Sequence, residues 1–193
     1  ILVDGPSGIG KSRFLYTLAG KLPPSSGKIE YNSSIKSKKT NLNPYSRDNK
    51  HYYPNLLIVP QMNIFIRDKV GDYLQYPDET LFNYELQKLS EYCECRSTLF
   101  LNGIADNINE FLNRRMQSLS GGQLQRVYIL SALLSKPNIL IFDEVTTGID
   151  ASLEELYFNA FLKYLSNSEK KAIVFTTHND RLKEKASKKL LLL

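Results

Sequence analysis

The chain has 193 residues, 42% of them hydrophobic and 23% charged, with a formal net charge of +5 and a pI near 9.1. These fractions argue against a disordered chain and suit one domain, or a core with a small inserted subdomain. The positive excess suits nucleic acid, an anionic membrane surface or an anionic ligand, and its spread along the chain rather than on one segment argues against a nucleic-acid surface.

In chain order, Ile1-Leu2-Val3 reads as a buried strand already under way. A glycine-rich stretch from Asp4 to Ser12 follows, and Ser12–Leu18 reads as a helix ended by Gly20 and Pro23-Pro24. Residues 27–31 alternate like an edge strand. Residues 32–55, rich in Ser, Lys, Asn and Tyr, read as a long polar loop. Leu56–Val59 is a second apolar strand, followed by Pro60 and Gln61. From Val70 to about Arg115 the pattern is helical, and Leu81, Tyr84, Leu86 and Leu89 are expected on its core-facing side.

Cys93 and Cys95, the two cysteines, stand too close in sequence to form a disulfide easily. They have no nearby histidine to complete a zinc site, so two free thiols of a reducing compartment are expected. Gln123–Leu134 reads as a strong helix and Ile139–Phe142 as the most hydrophobic strand. Ser152–Leu165 is a helix, Ala172–Thr176 a strand, Arg181–Ala186 a helix and Leu190–Leu193 a last strand. Strands alternating with helices predict an α/β fold with a mainly parallel sheet covered on both faces. The longest apolar runs are four to six residues, against the roughly 20 needed to span a bilayer. No secretory signal pattern is present. Both ends read as interrupted strands, so the sequence is expected to be a piece of a longer chain.

Three clusters carry chemistry. The first is Gly5-Pro6-Ser7-Gly8-Ile9-Gly10-Lys11-Ser12, with Arg13 next. It fits G-x-x-x-x-G-K-[ST] between a strand and a helix, the pattern of a phosphate-binding loop in P-loop nucleotide binders. Glycines let backbone N–H groups reach phosphates, the helix start adds its positive dipole, Lys11 brings a compact charge, and the Ser12 hydroxyl can ligate Mg²⁺. The second is Asp143-Glu144, two carboxylates at the end of a buried strand. Asp143 is the candidate metal ligand, and Glu144 the candidate general base for an attacking water. Gln61 and His178 each sit just past the carboxyl end of a predicted strand, the edge where ligands bind in open α/β sheets. Gln61 could bridge Mg²⁺ and the water, and His178 could contact the terminal phosphate. The third is Leu119-Ser120-Gly121-Gly122-Gln123, before a long helix whose start is expected to be bare and open to an anion.

The third cluster, followed by Leu124-Gln125-Arg126-Val127, resembles the signature of the ABC ATPase family. Gln61 resembles that family's Q-loop glutamine, Asp143 and Glu144 its metal-binding Asp and catalytic Glu, Gly148-Ile149-Asp150 its D-loop, and His178 its switch histidine. The resemblance covers nearly the whole chain. It implies a P-loop fold with a core at residues 1–64 and 136–193 and an inserted helical signature subdomain near 65–135. It implies ATP and Mg²⁺ as ligands. It also implies a second ABC ATPase domain, identical or homologous, packed head to tail so that two MgATP are sandwiched, with Ser120, Gly121, Gly122, Gln123 and Asp150 acting across the interface. The family's adenine-stacking aromatic lies upstream of the phosphate loop and has no counterpart here, and Thr146-Thr147-Gly148-Ile149-Asp150 departs from the commoner Ser-Ala-Leu-Asp.

The stretch from Val59 through Gln61, Arg67 and Asp68 to Tyr76-Pro77 is similar to exporter-type motor domains. Leu18-Ala19-Gly20, Ser26-Gly27-Lys28-Ile29 and Leu74-Gln75-Tyr76-Pro77 resemble bacterial relatives of the peroxisomal fatty-acyl transporters. Against this, Asn113–Ser118 lacks the Glu-containing loop of many exporters, and Thr177-His178-Asn179-Asp180 is similar to importers. The exporter reading is preferred. It implies a membrane domain in the same or a separate chain and a place on the cytoplasmic face of a membrane. The alternative is a soluble ABC ATPase acting on ribosomes, nucleic acid or a protein assembly. Chromosome-structure members are disfavoured, since only 108 residues separate Lys11 from Ser120 and no sustained heptads occur between them.

Overall fold

A computed structural model describes residues 1–27, 29, 56–61, 69–76, 78–96, 98–144, 146, 148–167 and 171–192. Residues 28, 30 and 31 of the expected edge strand at 27–31, the polar loop 32–55 and most of the stretch after Gln61 lie outside the described residues.

Among the described residues five strands form one sheet: β1 (Leu2–Asp4), β2 (Leu56–Val59), β3 (Ile139–Asp143), β4 (Ala172–Thr176) and β5 (Lys189–Leu191). Their order is β2-β3-β4-β1-β5, and every pairing is parallel. Parallel strands covered on both faces need apolar residues at every position, which explains the unbroken Ile139-Leu-Ile-Phe and Ile173-Val-Phe runs. Alternate residues divide between two cores. Val3, Ile141 and Val174 pack with Leu15 of α1 (Lys11–Leu18) on one face. Leu2, Leu140, Phe142, Ile173 and Phe175 join the larger core on the other. There they meet α6 (Gly121–Leu134), buried along most of its length, and α7 (Ala151–Ser166). Phe142 lies on Phe161 with ring centroids 4.7 Å apart, and Phe158 meets Phe175 edge-on at 5.5 Å.

Between β2 and α6 the chain forms α2 (Val70–Leu74), α3 (Glu79–Tyr92), α4 (Thr98–Leu101), α5 (Ile108–Asn113) and a 3₁₀ turn at Met116–Ser118. Short polar caps set the starts of α3 and α5: the Asp78 carboxylate accepts from Leu81 N at 2.8 Å and the Asn107 side chain from Glu110 N at 2.8 Å. The buried face of α3 is Phe82, Leu86, Leu89 and Ser90, with Cys93 following. This bears out Leu86 and Leu89 and corrects the other half of the expected face, because Leu81 is 50% and Tyr84 54% exposed. Two helical stripes overlap in this sequence. The one containing Phe82 wins because it stacks on Phe111 at 5.8 Å and meets Tyr76 edge-on at 5.6 Å. Burial pushes the Cys93 thiol up to about 12, with the neighbouring Cys95 adding to it, and both cysteines are free. Among the described residues no helix is long and apolar enough to cross a membrane.

The phase of α3 is directly testable by chemical denaturation. Phe82→Ala is expected to cost about 3–5 kcal/mol of stability. Leu81→Ala, its sequence neighbour, is expected to stay within about 0.5 kcal/mol of the parent.

Candidate functional site

Because every strand runs the same way, the carboxyl ends of β1, β2, β3 and β4 open on one edge. The chain leaves that edge through the glycine loop, Gln61, Glu144 and His178 in turn. β1 ends at Asp4, whose carboxylate accepts from Gly5 N at 2.9 Å. The loop then turns into α1 at Gly10, which sits at φ 103°, a conformation that strains a side-chain-bearing residue. Among the described residues no side chain caps α1, which leaves the N–H groups of its first turn for another acceptor. The Lys11 ammonium folds over the loop, donating to the Gly5 carbonyl at 2.9 Å and the Pro6 carbonyl at 3.1 Å. Pro6, Ser7, Gly8, Ile9 and Arg13 are exposed around it.

Parallel pairing sets Asp143 beside Thr176 in register. The Asp143 side chain is 3% exposed, and its Oδ1 accepts from Ser12 Oγ and from Thr176 Oγ1, each at 3.1 Å. Ser12 thereby ties the glycine loop to β3 across 131 residues of sequence. Burial, and secondarily the Asp143 charge, raise the Tyr16 phenol above its ordinary range, so this neighbour stays a neutral hydroxyl. Thr176 Oγ1 also accepts from Glu144 N at 3.0 Å.

Glu144 has φ 49°, left-handed for a residue with a side chain, at a cost of about 1–2 kcal/mol. The twist turns its carboxylate to the strand-end groups. Gln61 Nε2 donates to Oε2 at 2.7 Å, and His178 Nε2 lies 2.9 Å from Oε1. The Glu144 side chain is 14% exposed and that of His178 65%. Gln61, Ser12, Asp143, Glu144 and His178, chosen from separate points in the sequence, therefore form one connected cluster. Thr176 completes it and was not foreseen; its only sequence signal is a hydroxyl at the end of the buried strand beside the one ending in Asp143.

The signature residues gather elsewhere and correct one expectation. The start of α6 is not bare. The Ser120 hydroxyl accepts from Gln123 N at 3.3 Å, and the Gln123 side chain accepts from Ser120 N at 2.9 Å. This reciprocal capping box satisfies two helix-start N–H groups, of Ser120 and Gln123, and leaves those of Gly121 and Gly122. Gln123 also donates from Nε2 to the Gly103 carbonyl. At Gly122 an added Cβ would come within 2.5 Å of the Gly148 carbonyl oxygen, so the signature and the loop before Asp150 touch backbone to backbone. Asp150 precedes α7 in the cap position, exposed, with no capping bond from its side chain.

Mg²⁺ prefers oxygen ligands in octahedral array. Adjacent ligands at about 2.1 Å from the ion stand about 3 Å apart, and the Ser12–Asp143 oxygen pair at 3.1 Å fits that spacing. Among the described residues no three His, Cys, Asp or Glu side chains form a closed metal site. A two-residue set suits an ion that takes its other ligands from phosphate and water.

The sequence model of the ABC transporter family matches residues 1–147. The chain is 31% identical over 154 residues to the molybdate/tungstate import ATP-binding protein WtpC of Methanocaldococcus jannaschii, covering 80% of this chain and 46% of that protein. It is 30% identical over 180 residues to the lactococcin-G-processing and transport ATP-binding protein LagD of Lactococcus lactis subsp. lactis, covering 93% of this chain and 24% of that protein. The chain thus spans half or less of either relative. Among solved structures it superposes on a bacterial Atm1-family ABC exporter with ATP bound, with a TM-score of 0.70 and 22% identity, over 100% of this chain and 31% of that one. It also superposes on the dimeric ATP-binding cassette MJ0796 bound to ADP and Pi, with a TM-score of 0.69 and 21% identity, over 99% and 79%.

The capping box gives a local test. Ser120→Ala is expected to cost about 1 kcal/mol, read as a lower urea midpoint with an unchanged slope. With family match and cluster geometry in agreement, this chain belongs to the ABC transporter family.

Proposed function

We propose that the chain binds MgATP and hydrolyses it as the motor domain of an ABC transporter. The observation that carries this reading is the placement of Glu144. It stands one residue past the Asp143 that bonds Ser12 of the glycine loop, with its carboxylate between Gln61 and His178.

The residues divide the work as follows. Backbone N–H groups of Gly8 through Ser12 and the Lys11 ammonium bind the phosphates. Ser12 and Asp143, with Gln61, would hold Mg²⁺, which would neutralise phosphate charge. Glu144 accepts the proton of the attacking water, and Gln61 orients that water. His178 contacts the terminal phosphate. Ser120, Gly121, Gly122, Gln123 and Asp150 serve the second nucleotide across a head-to-tail pair of such domains. The core at 1–64 and 136–193 carries the glycine loop, and the helical region 65–135 presents the signature. Closure of the pair on ATP, and its release after hydrolysis, would drive a membrane domain, because ATP and ADP differ in affinity for the closed form. This sets the chain on the cytoplasmic face of a membrane. The MJ0796 cassette is described as dimeric and bound to ADP and Pi, which supports a paired, hydrolysing unit.

WtpC is named for import and LagD for processing and transport, while the Atm1-family neighbour is named an exporter. The exporter type is favoured here by the residues around Gln61 and Tyr76.

Two experiments test this reading. In the full-length protein, Glu144→Gln is expected to keep ATP affinity within about twofold, lower turnover by at least about 10²-fold, and accumulate a dimer on gel filtration with ATP. Lys11→Ala is expected to lose ATP binding. Wild-type turnover in Glu144→Gln would remove Glu144 as the base. The coding sequence upstream of Ile1 tests the transport direction. About six apolar spans of about 20 residues each are expected for an exporter, and a start codon within a few tens of residues would favour an importer or a soluble ATPase.

A further inference from the structure

Glu154 is a charged residue with 9% exposure, in the first turn of α7, outside the glycine loop, the signature and the strand-end cluster. A buried carboxylate is costly unless its oxygens are hydrogen-bonded, so where those bonds go is informative. Oε1 accepts from Thr146 Oγ1 at 2.6 Å, and Oε2 accepts from Asn179 Nδ2. The two arms reach different loops. Thr146 lies two residues past Glu144, and its carbonyl accepts from Ile149 N at 3.1 Å, closing the turn that sets Gly148 against Gly122. Asn179 directly follows His178. Its side-chain oxygen accepts from Arg181 N at 3.0 Å and its own N–H donates to Thr177 Oγ1 at 3.0 Å, so it is fixed on every side.

One carboxylate thus fastens the loop leaving Glu144 to the loop carrying His178, the two groups that meet at 2.9 Å. On the strand side, Thr176 Oγ1 accepts from Glu144 N and gives a second tie between the same two segments. The loops are therefore held from two directions. Thr176 fixes the strand ends, and Glu154 fixes the far side of each loop.

We propose that Glu154 is a positioning residue of the hydrolytic site: it clamps the Glu144 loop to the His178 loop and links both to the turn at Gly148. The inference rests on the reading of Glu144 and His178 as the hydrolytic pair. A Glu is needed at this point because both neighbours donate. Gln can serve the Thr146 hydroxyl with its oxygen but presents an N–H₂ to the Asn179 N–H₂. Asp is one methylene short of spanning the two.

The test is steady-state ATP turnover and equilibrium ATP binding of the full-length protein, with Glu144→Gln in parallel. Glu154→Gln is expected to lower kcat about tenfold with the ATP Kd within about twofold of the parent. The double variant Glu154→Gln/Asn179→Asp restores the donor–acceptor match, since the carboxylate introduced after His178 accepts from the glutamine amide and still caps Arg181 N. It is expected to recover most of kcat. Thr146→Val removes one arm with little change of shape and is expected to lower kcat similarly, which keeps the test usable if Glu154→Gln folds poorly. The proposal is overturned if Glu154→Gln turns over within twofold of the parent while Glu144→Gln is inactive. It is equally overturned if the double variant restores thermal stability without kcat, since the role would then be structural. Full turnover in Glu144→Gln would instead remove the hydrolytic reading beneath it.

Discussion

The parallel register of β3 on β4 is the constraint from which the site follows. It sets Asp143 opposite Thr176 with one hydroxyl available to both the Asp143 carboxylate and the Glu144 amide. A slip of one residue would turn every side chain of β3 to the other face. Ile141 would leave the α1 side, Asp143 would lose Ser12, and the glycine loop would have no anchor on the strand. The two cores hold the register, because Leu140 and Phe142 fit one side of the sheet and Ile141 the other. The apolar sandwich thus specifies the polar edge.

That edge assembles charges that would be unfavourable if they stood alone. Asp4 lies at the carboxyl end of β1 and Asp143 and Glu144 at that of β3, with β4 between them, and the positive groups facing them are Lys11 and the start of α1, with the His178 imidazole beside Glu144. Within the chain these partners satisfy each other inwardly. Lys11 bonds its own loop carbonyls, Ser12 bonds Asp143, and Gln61 and His178 bond Glu144. Each of these bonds uses the group that the proposed chemistry would need for phosphate, metal or water. Nucleotide binding would therefore be an exchange of one bonded set for another, which lowers the penalty of keeping so many polar groups together at one sheet edge.

Much of this was legible in the sequence because the chemistry fixes residue type and spacing together. The loop from Gly5 to Ser12, the Asp143-Glu144 pair and the signature stand out wherever they occur, and alternating strands and helices placed Gln61 and His178 at one edge. What was not legible depends on three-dimensional choice between near-equal options. The α3 stripe through Leu81 and Tyr84 is as regular as the one through Phe82, and only the ring of Phe111 decides between them. The start of α6 carries both an anion-binding pattern and a capping-box pattern in the same letters. The structure shows the second, with two glycine N–H groups left over for the first.

Glu154 was invisible for a different reason. A glutamate in the first turn of a helix reads as an ordinary favourable charge near the positive end of the dipole. Only burial and the direction of its two oxygens separate it from a surface residue. The same comparison explains the left-handed Glu144. Its conformation costs about 1–2 kcal/mol, and the surrounding bonds over-determine it. Thr176 holds its N–H, Gln61 and His178 hold its carboxylate, and Thr146, two residues on, is held by Glu154. Strain that persists under so many restraints is a property of the loops' fixed separation rather than of Glu144 itself. If the loops were released, the residue would relax toward an ordinary backbone, and its carboxylate would leave the line between Gln61 and His178.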